Sequence, residues 1–240
     1  MKIIHCADYN EASKKAYDLL LEEIKLNSSA VLGLPTGSTP LGIYGCMTAG
    51  VCRGDFSYAD ITTFNIDEYA GLSPDDSNSY YRFMRENLFD GIDAREENIN
   101  IPSGLGNLED NCLSYDKKIE DAGGIDIQVL GIGRNGHIGF NEPGTPFELT
   151  THIAELTNHT REANSRFFKS FDDVPVRAVT MGIRSMMNAR KIIFIAAGEE
   201  KSDAMFKTVC GPVSTDCPSS ILQMHPDITI FLDTAAAGRL

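Results

Sequence analysis

Three segments carry side chains whose types and spacing suit proton transfer or anion binding. In Gly131-Ile132-Gly133-Arg134-Asn135-Gly136-His137-Ile138-Gly139-Phe140-Asn141-Glu142-Pro143, a glycine-rich stretch presents an imidazole with an amide and a carboxylate close by. Imidazole titrates near neutrality and a carboxylate can orient it, so Asn135, His137 and Glu142 read as an acid–base group. A lone histidine is more often structural, but one set between glycines and followed by Asn-Glu-Pro has little apolar neighbourhood to serve. The second segment, Phe64-Asn65-Ile66-Asp67-Glu68-Tyr69, holds adjacent acids. Neighbours on an extended chain point to opposite sides, so one of the two faces a ligand. Partly desolvated, such a carboxylate has a raised pKa and can take a proton from carbon; the bland alternative is a solvated or helix-capping acid. The third, Pro35-Thr36-Gly37-Ser38-Thr39-Pro40, offers a glycine and hydroxyls just before a helix start. It is either a phosphate cradle or a well-capped strand-to-helix loop. Two further cations, Arg166 and Lys201, suit an anion, although each also reads as an ordinary surface charge.

Positioning these groups requires an alternating architecture. Short β-rich runs at Lys2–His5, Ala30–Leu34, Ile61–Ile66, Ile125–Leu130, Lys191–Ala196 and Ile228–Leu232 are separated by helical patterns, which predicts an α/β fold with a mostly parallel sheet. The first helix is expected from about Asn10 to Lys25, where Ala12, Ala16, Leu19, Leu20 and Ile24 recur on one face. The second should start near Thr39-Pro40 with a hydroxyl cap before an N1 proline. Others are expected over Tyr80–Leu88, Leu108–Ala122 (stopped by Gly123-Gly124), Ile183–Ala189 and Lys201–Cys210. With no linker, repeat or low-complexity tract, residues 1–240 read as one domain. All three segments follow predicted strands, at the edge where such sheets bind ligands.

Several function classes are disfavoured. Gly131, Gly133 and Gly136 match the dinucleotide fingerprint, with Glu155 near the ribose-acid offset, but Gly139 and Asn141-Glu142-Pro143-Gly144 follow where that fingerprint needs a long helix. No nucleotide is expected. His5, His159 and His225 show no ligand spacing, so no metal and no other cofactor is expected. A net charge of −13 disfavours nucleic-acid and anionic-membrane partners. The 6 cysteines form no CxxC pair, no apolar run approaches ~18 residues, and the amino-terminal segment lacks the apolar region of a leader, so a cytoplasmic location with reduced thiols is expected.

Taken together, these residues closely resemble the glucosamine-6-phosphate deaminase family, also called glucosamine-6-phosphate isomerase, over nearly the whole chain. The shared stretches are Leu-Gly-Leu-Pro-Thr-Gly-Ser-Thr-Pro at 32–40, Phe-Asn-Ile-Asp-Glu-Tyr at 64–69, Ser-Tyr-Tyr at 79–81, Gly-His-Ile-Gly-Phe-Asn-Glu-Pro at 136–143, Ala-Asn-Ser-Arg-Phe-Phe at 163–168 and Leu-Gln-Met-His-Pro at 222–226. The resemblance implies a three-layer α/β/α sandwich, Rossmann-like but without nucleotide. It also implies conversion of glucosamine 6-phosphate and water to fructose 6-phosphate and ammonia. On the matching positions, His137 opens the sugar ring with Glu142 and Asn135, Asp67 moves a proton between C2 and C1, and Ser38, Thr39, Arg166 and Lys201 bind the phosphate. Many members carry Asp at position 135; the amide here orients His137 rather than exchanging protons. Arg134 acquires no role.

Within the same fold, the competing reading is a lactonase acting on 6-phosphogluconolactone, against which the Asp67-Glu68-Tyr69 segment and Asn-Glu-Pro argue. A sugar-phosphate sensor of a transcription regulator is the competing non-enzyme, but no basic helix-turn-helix candidate is found. Allosteric family members bind N-acetylglucosamine 6-phosphate with an Arg and a Lys two residues apart. The matching segment is Thr150-Thr151-His152-Ile153-Ala154-Glu155, and the chain reaches Leu240 soon after its last strand. The short, non-allosteric type is therefore expected, as a monomer or small homo-oligomer.

Overall fold

The computed structural model describes residues 1–240, the side chains of His159 and Ala163 excepted. Its strands are β1 (Lys2–Cys6), β2 (Val31–Leu34), β3 (Thr62–Asn65), β4 (Asp67–Tyr69), β5 (Ile99–Asn100), β6 (Ile127–Leu130), β7 (His152–Glu155), β8 (Arg177–Thr180), β9 (Lys191–Ala196) and β10 (Ile228–Asp233). The helices are α1 (Tyr9–Leu26), α2 (Leu41–Arg53), α3 (Tyr80–Asn87), α4 (Leu108–Asp121), α5 (Asn158–Asn164), α6 (Ile183–Met187) and α7 (Ser202–Cys210).

Seven strands form a parallel sheet in the order β1-β10-β9-β6-β2-β3-β5. Side-chain alternation along its strands feeds two apolar layers. On β9, Ile193 and Ile195 join the cluster beneath α1, α2 and α3, which includes Ala12, Leu20, Ile43 and Met84. Ile192 and Phe194 join the opposite cluster with Tyr115 of α4, Met186 of α6 and Met205 of α7. The result is a three-layer α/β/α sandwich.

A second, antiparallel sheet, β4-β8-β7, grows from the first. At Ile66 the chain leaves the main sheet: its amide donates to the Leu34 carbonyl at 3.1 Å, and its own carbonyl accepts from Met181 at 2.7 Å. Asp67 is therefore the first residue beyond the carboxyl end of the central strands. The six strands read from the sequence are all present. The second sheet, β5 and α5 are additional.

From β2 the chain proceeds outward to β3 and β5, then returns to β6 and proceeds the other way to β9 and β10. β2 and β6 thus flank the reversal of strand order, where the carboxyl-end loops diverge and leave a crevice. After β6 the backbone makes turns rather than a helix, and the next regular element is β7. That supplies the structural reason for setting the dinucleotide fingerprint aside. Among the described residues, no helix is long and apolar enough to cross a membrane.

Candidate active site

The crevice holds a cavity of about 600 Å³ whose lining includes Thr36, Ser38, Asp67, Tyr80, Arg134 and His137, with Arg166 and Lys201. A cleft of similar size, about 630 Å³, lies beside Leu105 and Val176. It brings together none of the sequence-predicted groups, so the former is the candidate site.

Asp67 and Glu68 divide as alternation requires. Glu68 turns away from the cavity and accepts three amides, from Tyr69 (2.8 Å), Tyr80 (2.9 Å) and Tyr81 (2.8 Å), capping the start of α3. Asp67 turns in and is 5% exposed. Its side-chain hydrogen-bond partner is the Thr36 hydroxyl, which donates at 3.3 Å. Burial, reinforced by the nearby Glu68 charge and only partly offset by Thr36, lifts the Asp67 pKa to about 7. A carboxylate so placed is a base matched to neutral pH.

His137 is held by a turn that few residues could form. The amide of Gly136 donates to the Gly133 carbonyl at 3.1 Å, and the amide of Gly133 to the His137 carbonyl at 2.9 Å. A Cβ on Gly133 would lie 2.2–2.4 Å from three atoms of the imidazole, so only glycine lets the ring occupy its place. Gly136 has φ +89°, a region disfavoured for L side chains.

His137 Nδ1 lies 3.7 Å from Glu142 Oε2, an ion-pair separation too long for a hydrogen bond. Asn135 bridges the two more closely: its amide nitrogen donates to Glu142 Oε2 at 2.7 Å, and its oxygen accepts from the His137 backbone at 3.2 Å. Position 135 accordingly orients. The other Glu142 oxygen accepts from Thr160 and, at 3.3 Å, from Thr157, both at the start of α5. Burial raises the Glu142 pKa, but the nearby His137, Thr160 and Asn135 outweigh it and hold the group ionised, well below the usual carboxylate range. Thr157 and Thr160 escaped the sequence reading, although Thr157 is a recognisable N-cap, accepting from the Thr160 amide.

Ser38 and Thr39 also line the cavity, just before α2. The expected hydroxyl cap is not formed. Pro40 itself occupies the cap position with no side-chain capping bond, because Thr39 packs towards Gly131 instead, within 3.3 Å of where a Cβ there would lie. The loop is held from a distance by Tyr9, whose hydroxyl faces the Thr39 carbonyl at 2.9 Å and accepts from the Gly42 amide at 2.7 Å. Nothing in the local sequence announces that contact, since α1 meets α2 only in the fold.

Lys201 precedes α7 and is partly buried rather than an exposed helix-start residue. Burial lowers its pKa; Glu200 opposes this, while the charges of Arg134 and Arg166 add to it. The turn before Lys201 is fixed by Asp233, whose carboxylate accepts from the Gly198 amide at 3.0 Å. Arg166 lies over the Phe167 ring at 4.7 Å. Neither cation forms an ion pair among the described residues. Glu155 stands apart on β7, opposite Arg177.

This arrangement has known counterparts. A family model described as glucosamine-6-phosphate isomerases/6-phosphogluconolactonase matches residues 8–230. The chain belongs to that family. Among curated members, a glucosamine-6-phosphate deaminase of Clostridium novyi is 49% identical over 241 residues, covering 100% of both chains. One of Thermoanaerobacter pseudethanolicus is 48% identical over 239 residues, covering 99% of this chain and 94% of its own. A solved monomeric glucosamine-6-phosphate deaminase superposes with a TM-score of 0.97 at 44% identity, covering 99% of each chain. The 6-phosphogluconolactonase of Trypanosoma cruzi shares the fold, with a TM-score of 0.82 at 21% identity over 100% of this chain and 96% of its own.

Proposed function

We propose that the protein is a glucosamine-6-phosphate deaminase, an enzyme that isomerises an amino-sugar phosphate and releases its nitrogen as ammonia. The observation that carries this is one cavity lined by a buried carboxylate poised near pH 7, by His137 of the His137–Asn135–Glu142 group, and by cations that form no ion pair among the described residues.

In the ring-opening step, His137 carries the proton from the anomeric hydroxyl to the ring oxygen, while Glu142 stabilises the imidazolium and Asn135 fixes the turn. The C1 aldehyde so formed acidifies the C2 hydrogen. Asp67 removes that hydrogen to give an enediol-like intermediate bearing nitrogen at C2, then returns a proton to C1. Water adds to the resulting C2 imine and ammonia departs, leaving fructose 6-phosphate. Ser38, Thr39, Arg166 and Lys201 hold the phosphate and fix the sugar's register.

The divergent lactonase relatives share the fold alone, and lactone hydrolysis gives no task to a carbon base such as Asp67. Assaying ammonia from glucosamine 6-phosphate beside acid from 6-phosphogluconolactone tests the assignment: ammonia without acid supports it, and acid without ammonia rejects it. A cytoplasmic location is supported by the free cysteines and acidic balance. Unregulated behaviour, as a monomer or small homo-oligomer, is our reading; its lack of regulation is supported by β7, where Ala154 is buried and His152 Nδ1 pairs with its neighbouring Thr150 carbonyl at 2.9 Å, so that the segment offers no pair of permanent cations to an activator phosphate.

A further inference from the structure

The phosphate end of the cavity contains one more cation than the reading above employs. Arg134 sits at a corner of the turn closed by the Gly136-to-Gly133 hydrogen bond of 3.1 Å, so its backbone is fixed by the same turn that presents Asn135 and His137. Its side chain is exposed, yet it lines the cavity together with Ser38, Thr39, Arg166 and Lys201.

In a chain with 34 acidic residues against 21 Lys and Arg, several surface arginines pair with carboxylates. Arg53 pairs with Asp55, Arg82 with Glu86 and Arg190 with Asp126. Arg134, Arg166 and Lys201 form no such pair among the described residues, although Glu200 and Asp233 also line the cavity. Asp233 is engaged with the amides of Gly198 and Ala236. Three cations share the cavity without a direct ion pair; burial lowers the Lys201 pKa, and the charges of Arg134 and Arg166 add to this against the opposing Glu200. Such a cluster is unfavourable when empty and is relieved by a multiply charged anion, whose peripheral oxygens a guanidinium can bridge where an ammonium offers a point charge.

We propose that Arg134 is a third cationic contact for the substrate phosphate, reaching it from the catalytic turn. The proposal rests on the assignment of this end of the cavity to the phosphate and adds a residue to it. It also implies that phosphate binding steadies the turn carrying His137.

The test compares wild type, Arg134→Ala, Arg134→Lys, Arg166→Ala and Lys201→Ala. The readouts are KM and kcat for glucosamine 6-phosphate, the inhibition constant of inorganic phosphate at low and high salt, and the phosphate-induced rise in Tm. In Arg134→Ala, KM and the phosphate inhibition constant should each rise about three- to tenfold, with kcat falling less than about twofold. The difference should shrink at high salt, where charges are screened. Arg134→Lys should recover part of the loss, and the phosphate-induced Tm rise should be smaller in Arg134→Ala than in wild type. If Arg134→Ala keeps wild-type constants while Arg166→Ala raises both, Arg134 is not a contact and the phosphate assignment stands. A fall in kcat with an unchanged inhibition constant would make Arg134 a structural part of the turn and overturn the proposal. If none of the three alanine variants alters either constant, the phosphate assignment fails and this proposal fails with it.

Discussion

Replacing Asp67 by Asn should abolish turnover and stabilise the fold in the same variant, by an amount that grows with pH. Asp67 is buried, and its pKa is displaced from an ordinary 3.8 to about 7 because ionising it means losing water next to the Glu68 charge. Between those two values the native state binds a proton that the unfolded chain has released. Native stability therefore falls as pH rises from about 4 to 7 and levels off above 7. At ~1.4 kcal/mol per pH unit, the ionised side chain costs the fold on the order of 4 kcal/mol at pH 8, a large share of the ~5–15 kcal/mol that holds a protein together. Asn has nearly the same shape, can still accept from Thr36, and carries no charge, but it cannot act as the base. Urea unfolding of both proteins from pH 4 to 8 measures the difference. The two should be nearly equal near pH 4, with Asp67→Asn ahead by several kcal/mol at pH 8 and inactive throughout. A stability difference that does not vary with pH would refute the raised pKa and with it the reasoning that makes Asp67 a base at neutral pH.

The same ionisation sets the acid limb of activity: kcat/KM should fall about tenfold per pH unit below about 7, and a plateau extending to pH 5 would contradict it. His137→Gln should slow turnover by ~10²–10⁴-fold, with much of the rate recovered on a substrate analogue locked in the open-chain form; equal impairment on both forms would remove His137 from ring opening. Tyr9→Phe, which frees the Gly42 amide and releases the Thr39 carbonyl, should raise KM several-fold with kcat nearly unchanged, as measured by steady-state kinetics. N-acetylglucosamine 6-phosphate should leave the substrate dependence hyperbolic, and sigmoidal kinetics relieved by that ligand would show a regulatory site after all.

The central sheet was legible because its strands are runs such as Lys191–Ala196 and Ile228–Asp233, buried on both faces and bounded by polar turns. The second sheet was not. β4 has 3 residues and β8 has 4, too few to show a period, and both exist because the chain switches sheets at Ile66. α5 has a single apolar residue, Ala163, and hence no apolar period, so only its Thr157 cap could have announced it. In the candidate site, the turn that carries His137 was readable because glycine spacing and residue type coincide in one segment. Thr160, Tyr9 and Asp233 were not, since each acts on a partner brought near by folding: Tyr9 lies 33 residues from Gly42, and Asp233 lies 35 from Gly198. Thr39 misled for the same reason, because its preference for capping gave way to packing towards Gly131.

On the proposed mechanism, Asp67 moves the C2 hydrogen of an amino-sugar phosphate on the way to ammonia. The most direct measurement uses glucosamine 6-phosphate deuterated at C2, following ammonia release and the fate of the label in wild type and in Asp67→Asn. In wild type every ammonia released should be accompanied by loss of deuterium from C2, and the variant should retain the label and release no ammonia. Ammonia formed by Asp67→Asn at near wild-type rate, with the C2 label lost, would contradict it.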